Sequence, residues 1–248
     1  MRRPQVRRLV CYIAEQGLMP VRPAWCYSPR MCGRFYLIAS AAELKKKFSL
    51  EHGLDLVPRY NIAPTQSSPI IRGEGKTRSV HMARWGLVPS WSRDLSLGAR
   101  MINAPAEEID DKPVFREAFT GRRCLVPANG FYEWQTRGAR KQPYKIGLRN
   151  GALCAFAGFW EKWTPEVGEP VETFTIVTTR ANRLVREVHE RMPAIIAPAD
   201  YQRWLSAPDA TAKRLLIPYT GAMTIAPVSD RISNIKDDDV GLIAPIQM

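Results

Sequence analysis

From Met31 onward the chain is cut into short β-branched and aromatic runs by glycine, proline and Asn-Gly punctuation. A chain cut this way has room for many short strands and only brief helices. Residues 34–38 form the first β-rich run, and Ser40-Ala-Ala-Glu43 reads as a capping box opening a helix through Phe48. Ile70-Ile71 and Ser79-Val80 flank Gly73-Glu-Gly75, which predicts a hairpin turn. Runs at 144–148 and 152–156 lie on either side of Asn150-Gly151, the strongest short hairpin signal, and predict a second hairpin. Residues 173–179 form a further strand. The spacing of Leu184, Val185 and Val188 predicts a helix over 182–190 with Pro193 as its stop, and a third helix follows over 198–205. Pro-containing loops are expected at 58–69 and 85–91. The fold class that follows is α+β: one β-rich domain of mixed and antiparallel sheets, forming a partly closed barrel with a few peripheral helices.

Charge narrows the partner. The 248 residues hold 36 Lys and Arg against 24 Asp and Glu, a net charge of +12. A basic surplus favours an anionic partner, nucleic acid first and an anionic membrane surface second. No apolar run approaches the roughly 18 residues that a spanning helix needs, so an integral membrane protein is not expected. The surplus is uneven: residues 1–30 carry six Arg and one acid, Glu15. This segment fits no targeting class, because its apolar run is short and interrupted by Glu15. It is read as an N-terminal extension, either a basic arm or residues upstream of the true start, with 31–248 as the domain. Five cysteines without a Cys-x-x-Cys pair, and three scattered histidines, suggest free thiols in a reducing cytoplasm and no metal site. No phosphate-binding or dinucleotide-binding glycine loop occurs, so no cofactor is expected.

Four residues stand out as candidates for chemistry: Cys32, Asn103, Glu133 and His189. Each has a second reading on residue type alone. Cys32 could be a small buried hydrophobe, Glu133 a solvated or paired carboxylate, and His189 a cap on a helix C-terminus.

Seven ordered blocks then carry a resemblance. They are Met31-Cys-Gly-Arg-Phe35, Arg59-Tyr-Asn-Ile-Ala-Pro-Thr65, Trp85-Gly-Leu-Val-Pro-Ser-Trp91, Ile102-Asn-Ala104, Arg123-Cys-Leu-Val-Pro-Ala-Asn-Gly-Phe-Tyr-Glu-Trp134, Ala157-Gly-Phe-Trp160 and Val188-His-Glu-Arg-Met-Pro193. Together they resemble the SOS response-associated peptidase (SRAP) family from Met31 to about Lys236. The resemblance implies a protein that traps abasic sites in single-stranded DNA covalently, through a cysteine that becomes residue one when its initiator Met is removed. On this chain that cysteine is Cys32, with translation expected from Met31.

An N-terminal cysteine offers an α-amine and a thiol on adjacent carbons, and the pair condenses with the ring-opened aldehyde to a thiazolidine. The α-amine's ordinary pKa of about 7.7–8.0 leaves a useful neutral fraction at cellular pH. By the same resemblance Glu133 is the general acid/base, its pKa raised between Tyr132 and Trp134. His189 assists ring opening or holds the leaving hydroxyl, and Asn103 positions Cys32 and the lesion. Arg34 and Arg191 are implied phosphate ligands, and Trp91 a wedge beside the lesion, where stacking is worth roughly 1–3 kcal/mol.

One departure stands out: Pro105 occupies the place of a phosphate-binding Arg, with Glu108 adding negative charge nearby and Arg100 or Lys112 as possible substitutes. The partner implied is single-stranded DNA with abasic sites, engaged by a monomer. The alternatives are a cysteine-dependent peptidase acting on protein, itself included, and a silent single-strand binder with a structural Cys32.

Overall fold

A computed structural model of the protein describes residues 32–74 and 77–247, which lie within the unit Met31–Met248. The segment 1–30 and the turn residues Gly75 and Lys76 lie outside the described residues.

Two sheets organise the unit. The first contains β1 (Arg34–Leu37), β2 (Arg59–Ile62), β7 (Gly130–Arg137), β8 (Arg140–Leu148) and β13 (Met223–Pro227), paired in the order β13-β8-β7-β1-β2. All four of its pairings are antiparallel. The second is built on β3 (Ser67–Glu74), β4 (Thr77–Trp85), β6 (Arg123–Ala128), β9 (Cys154–Trp163) and β10 (Val171–Arg180). Each of these five pairs with two of the others, β10 meeting both β4 and β9, so the ring closes into a barrel. Closure removes the free edges that an open sheet would present. Three short strands, β5 (Asn103–Pro105), β11 (Arg191–Pro193) and β12 (Ile195–Ile196), are added where β10 and β9 run past the ring.

Aromatic side chains weld the sheets together. Phe35 of β1 meets Trp85 of β4 edge-on at 5.1 Å and Phe156 of β9 at 6.2 Å, while Phe131 of β7 meets Phe156 at 6.0 Å. Each such contact adds about 0.5–1.5 kcal/mol beyond its buried area. The other face of the first sheet is also covered: Tyr36 and Tyr132 pack with Val228, Ile232 and Leu242 of the C-terminal segment. Successive strand residues point to opposite faces, so Phe35 and Phe131 enter the main core while their neighbours enter this second cluster.

The helices are short and peripheral. The first, α1 (Ala41–Phe48), has the expected capping box, with the Ser40 and Glu43 side chains each satisfying the other's backbone N–H. Helix α2 (Pro113–Gly121) starts with proline at its first turn and buries Phe115, Ala118 and Phe119.

Four expectations are corrected. Asn150-Gly151 does take two left-handed residues (φ +64° and +65°), yet it makes no hairpin. Strand β8 already pairs with β7 and β13, so the turn instead carries the chain from the first sheet to the barrel. The hairpin partner of β8 is β7, across the two-residue loop after Arg137. Over 182–190 there is one 3-10 turn, Val185–Glu187, capped by the Asn182 side chain, because the loop is drawn closed by Ala181 N–H donating to the Glu190 carbonyl at 2.8 Å. The 198–205 segment is a 3-10 turn, Pro198–Asp200, followed by α3 (Tyr201–Ser206). Finally, the expected loop at 58–69 contains β2 and the start of β3.

Asn129 joins the barrel to the first sheet. Its buried side chain accepts from the N–H groups of Ile38 and Ala39 at 2.9 and 3.1 Å, and donates to the Gly151 carbonyl at 3.0 Å. Asn129→Ala leaves two donors and one acceptor without partners, so urea denaturation is expected to show a loss of roughly 2–4 kcal/mol. An Asp variant, which keeps only the acceptor role, recovers part of it.

Candidate active site

Cys32 stands at the entrance to β1, and its position follows from that strand's register. Arg34 is the Cα partner of Tyr132 on β7, which brings the chain just before it alongside Glu133. The Cys32 backbone N–H donates to Glu133 Oε1 at 2.6 Å. Asn103 comes from β5, fixed by its parallel pairing with β10 at Ile176. The stretch before it is held by Trp85 Nε1 and Ile176 N–H, which both donate to the Ile102 carbonyl, at 2.8 and 3.1 Å. Asn103 Nδ2 then donates to the Cys32 carbonyl at 3.3 Å. Three of the four expected residues, drawn from three separate strand regions, therefore meet at Cys32.

His189 belongs to the loop before β11. Its Nδ1 accepts from Arg191 N–H at 3.1 Å. The Arg191 carbonyl lies 3.4 Å from the same nitrogen, so Nδ1 faces both a backbone donor and a backbone acceptor, and its role follows the tautomer. Burial lowers the imidazole pKa below its ordinary value, which favours the neutral ring. The loop is tied to β7 through Gln135 Nε2, which donates to the Glu187 carbonyl at 2.6 Å. His189 thus sits in a loop held between β7 and the start of β11. It is no helix cap, since no α-helix forms there.

Electrostatics separate the roles. Glu133 is 2% exposed, and burial pushes its carboxyl up to about 8, against the pull of the Cys32 and Trp134 N–H groups. The direction agrees with expectation, but the flanking aromatics are not the local cause. Tyr132 and Trp134 turn to the opposite face, toward the C-terminal cluster, while Glu133 faces Cys32. The Cys32 thiol is also buried, and burial together with the Glu133 charge raises its pKa well above the ordinary value. Among the described residues its Sγ meets the Arg34 carbonyl at 3.9 Å. At neutral pH this thiol is protonated, unlike the thiolate of a cysteine peptidase held beside an imidazolium.

The expected DNA contacts fall in different settings. Trp91 is 67% exposed, on a loop anchored by Trp163 Nε1 donating to the Ser92 carbonyl at 2.6 Å. That loop leaves β4 at Gly86 (φ +120°), where a Cβ would stand 2.4 Å from the Gly98 carbonyl oxygen, so only glycine fits. Arg34 is half-buried and folds back on the Gly33 carbonyl at 2.7 Å. Arg191 is clamped: its two terminal nitrogens meet both Glu107 oxygens at 2.9 Å, and Nη2 also reaches the Thr178 carbonyl at 2.9 Å. Lys112, one of the two possible substitutes at Pro105, is paired with Glu108. Sequence reasoning missed Glu107 and Thr178. Glu107 lay in view two positions beyond Pro105, but only the fold shows that β5 and β11 flank β10 and so face each other across it.

A buried carboxyl with a raised pKa, set against the nitrogen of a cysteine whose carbonyl is held by an amide, is an arrangement suited to proton transfer at that nitrogen. Comparison with known proteins gives the family. Residues 31–235 match the family described as SOS response associated peptidase (SRAP), and the chain belongs to it. It is 36% identical over 221 residues to the abasic site processing protein YoaM of Bacillus subtilis (strain 168), covering 86% of this chain and 97% of that protein. It is 30% identical over 226 residues to the abasic site processing protein HMCES of Gallus gallus, covering 77% of this chain and 67% of that protein. A crystal structure of a protein from Bacteroides thetaiotaomicron superposes with a TM-score of 0.77 at 28% identity, over 87% of this chain and all of that one.

Proposed function

We propose that this protein processes abasic sites in single-stranded DNA, and that it does so by forming a covalent thiazolidine through Cys32 once Cys32 is the first residue of the chain. The observation that carries the reading is the 2.6 Å contact between the Cys32 nitrogen and Glu133. The amine adds to the C1′ aldehyde of the opened sugar, and the carbinolamine loses water to give an imine. The thiol then adds to the imine carbon and its proton ends on nitrogen, so aminothiol plus aldehyde gives thiazolidine plus one water. Glu133, with a pKa near 8, can take a proton from the attacking nitrogen and return it to the departing hydroxyl. The protonated thiol favours this order, amine first and sulfur second.

The test uses protein beginning at Cys32 and single-stranded DNA carrying one uracil converted to an abasic site. A denaturing gel is expected to show a shifted band, absent for Cys32→Ala and for protein in which residues 1–31 are still attached. No band with intact abasic DNA would overturn the reading. Noncovalent binding is expected to weaken steeply with ionic strength as bound phosphates release counterions; a flat response, read by anisotropy, would argue against a DNA-binding face.

The same contact favours a second activity, removal of whatever precedes Cys32. A protonated Glu133 is placed to donate to the Cys32 nitrogen as it leaves the preceding carbonyl, with water supplying the hydroxyl. Incubated full-length protein is then expected to gain a new N-terminus at Cys32 by mass spectrometry. The Glu133→Gln variant is expected not to.

A further inference from the structure

We infer that Asp238, in the C-terminal segment, is a positioning residue for the Cys32–Glu133 pair and acts on it through Tyr60 and Tyr132. The inference rests on the crosslinking reading above, in which Glu133 serves the Cys32 nitrogen.

The sequence shows three aspartates in a row, Asp237-Asp-Asp239, and the fold gives them different tasks. Asp239 stays at the surface, where it accepts from the Gly241 N–H at 2.9 Å and pairs with Arg231. Asp237 faces the same arginine at 3.6 Å. Asp238 is half-buried and turns onto β2. Its Oδ1 accepts from the N–H groups of Tyr60 and Asn61, at 2.5 and 3.0 Å, and its Oδ2 pairs with Arg59 Nε. The buried Asn61 side chain fastens the same junction, donating to the Asn234 and Asp237 carbonyls at 3.0 and 2.9 Å.

Strand β2 needs such a partner. It is an end strand of its sheet, and its register with β1 shifts between Phe35 and Leu37. An end strand presents backbone groups that its own sheet does not pair, and Asp238 takes two of them.

The Tyr60 end of β2 is in turn one end of a clamp over β1. Strand β1 lies between β2 and β7, with Cys32 at its entrance. Tyr132 of β7 is the Cα partner of Arg34 on β1, and its hydroxyl reaches past that strand to donate to the Tyr60 carbonyl at 2.8 Å. Two strand spacings separate β7 from β2, about 10 Å, and the fully buried Tyr132 side chain bridges them. Burial, then the Tyr36 and Asp238 charges, raise the Tyr132 pKa, so its hydroxyl remains a donor at working pH.

Glu133 follows Tyr132 directly, and Trp134 after it donates from Nε1 to Ser233 Oγ of the C-terminal segment at 3.3 Å. Both neighbours of Glu133 are thus held on the outer face while Glu133 points the other way, at the Cys32 nitrogen. A shift at Tyr60 is passed through Tyr132 to the separation of Glu133 from Cys32. A misplacement of about 1 Å at a reacting group costs up to about 10²-fold in rate.

The test follows single-turnover adduct formation by protein beginning at Cys32, the form the reaction requires, with protein in excess over abasic single-stranded DNA. It yields a limiting rate, a half-saturating concentration and the pH midpoint of the rate. Asp238→Ala is expected to lower the limiting rate by roughly 10-fold or more and to leave the half-saturating concentration unchanged. Its pH midpoint should fall below the parent's, because a loosened Glu133 is better hydrated. Tyr132→Phe, which removes one hydroxyl, should change the rate and midpoint in the same direction by less. Asp239→Ala is the control: it removes the same charge from the same segment and should match the parent.

If circular dichroism shows Asp238→Ala unfolded at the assay temperature, Tyr132→Phe decides. A parent-like rate and midpoint in Tyr132→Phe, or in folded Asp238→Ala, overturns the inference. So does a change confined to the half-saturating concentration, which would place Asp238 in DNA binding. An equal loss in Asp239→Ala would mean that any loosening of the segment is read, and overturns it as well. If the parent forms no adduct, the crosslinking reading itself fails and takes this inference with it.

Discussion

Cys32→Ser, in protein beginning at residue 32, is expected to lose the stable DNA adduct entirely while still forming an adduct that borohydride can trap. The serine variant keeps the α-amine, and so keeps the imine. Without sulfur to close the ring, that imine hydrolyses during heating in denaturant. Blocking the amine, by retaining the preceding residues or by acetylation, is expected to remove both adducts. The two chemical halves of the aminothiol are thereby read separately. A heat-stable adduct from Cys32→Ser without reductant would show that sulfur does not close a ring, and would rule out the thiazolidine. The placement of Cys32 makes the experiment clean, since its thiol is buried and, among the described residues, meets the Arg34 carbonyl at a long 3.9 Å, leaving little for the hydroxyl to disturb.

Glu133→Gln is expected to stabilise the full-length protein at alkaline pH and to slow adduct formation in protein starting at Cys32. The carboxyl pKa rises from 4.5 to about 8 on folding because burial penalises the charged form. The sign follows from proton binding. Between these values the folded state holds a proton that the unfolded state has released, so stability falls as pH rises. The full stability belongs to pH below 4.5, and the penalty is complete above about 8. At 1.36 kcal/mol per pH unit it amounts to roughly 4–5 kcal/mol.

Gln keeps an oxygen for the Cys32 N–H but carries no charge, so the difference between variant and parent should be near zero at pH 4.5 and grow toward pH 9. For a chain of this size that corresponds to a Tm gain of roughly 10 °C at the alkaline end. Denaturant melts at both pH values check it, and parallel pH curves for the two proteins would refute a buried, strained carboxylate. Adduct formation should drop by about 10²–10⁴-fold, the usual contribution of a positioned acid/base. In the parent it should fall as pH drops below 8, where Glu133 is protonated and cannot accept a proton. A gain in stability at the expense of activity is what a carboxyl buried for chemistry predicts.

Much of this was readable beforehand where the signal is local. The capping box at Ser40 and Glu43, the antiparallel pairing of β3 with β4 and the strand over 173–179 appear as expected, because each rests on residues within a few positions of one another. The Asn150-Gly151 turn shows the boundary of that logic. Its backbone is the one its residues prefer, but which strands it joins depends on the partners already seated beside β8. The 182–190 segment has helical spacing, and loop closure between Ala181 and Glu190 overrides it.

For the site, sequence alone determined the residue types and their order: a cysteine after Met31, an asparagine, a glutamate and a histidine in blocks that place the chain in its family. Only the tertiary structure decided what those residues are to one another. A 2.6 Å contact joins positions 101 residues apart, the thiol and carboxyl acquire their shifted pKa values from burial, and Glu107 pairs with Arg191 from across β10. The physical reason is that burial, register and charge pairing arise between strands distant in the chain. A residue's own neighbours in sequence, which point alternately to opposite faces, carry no record of them.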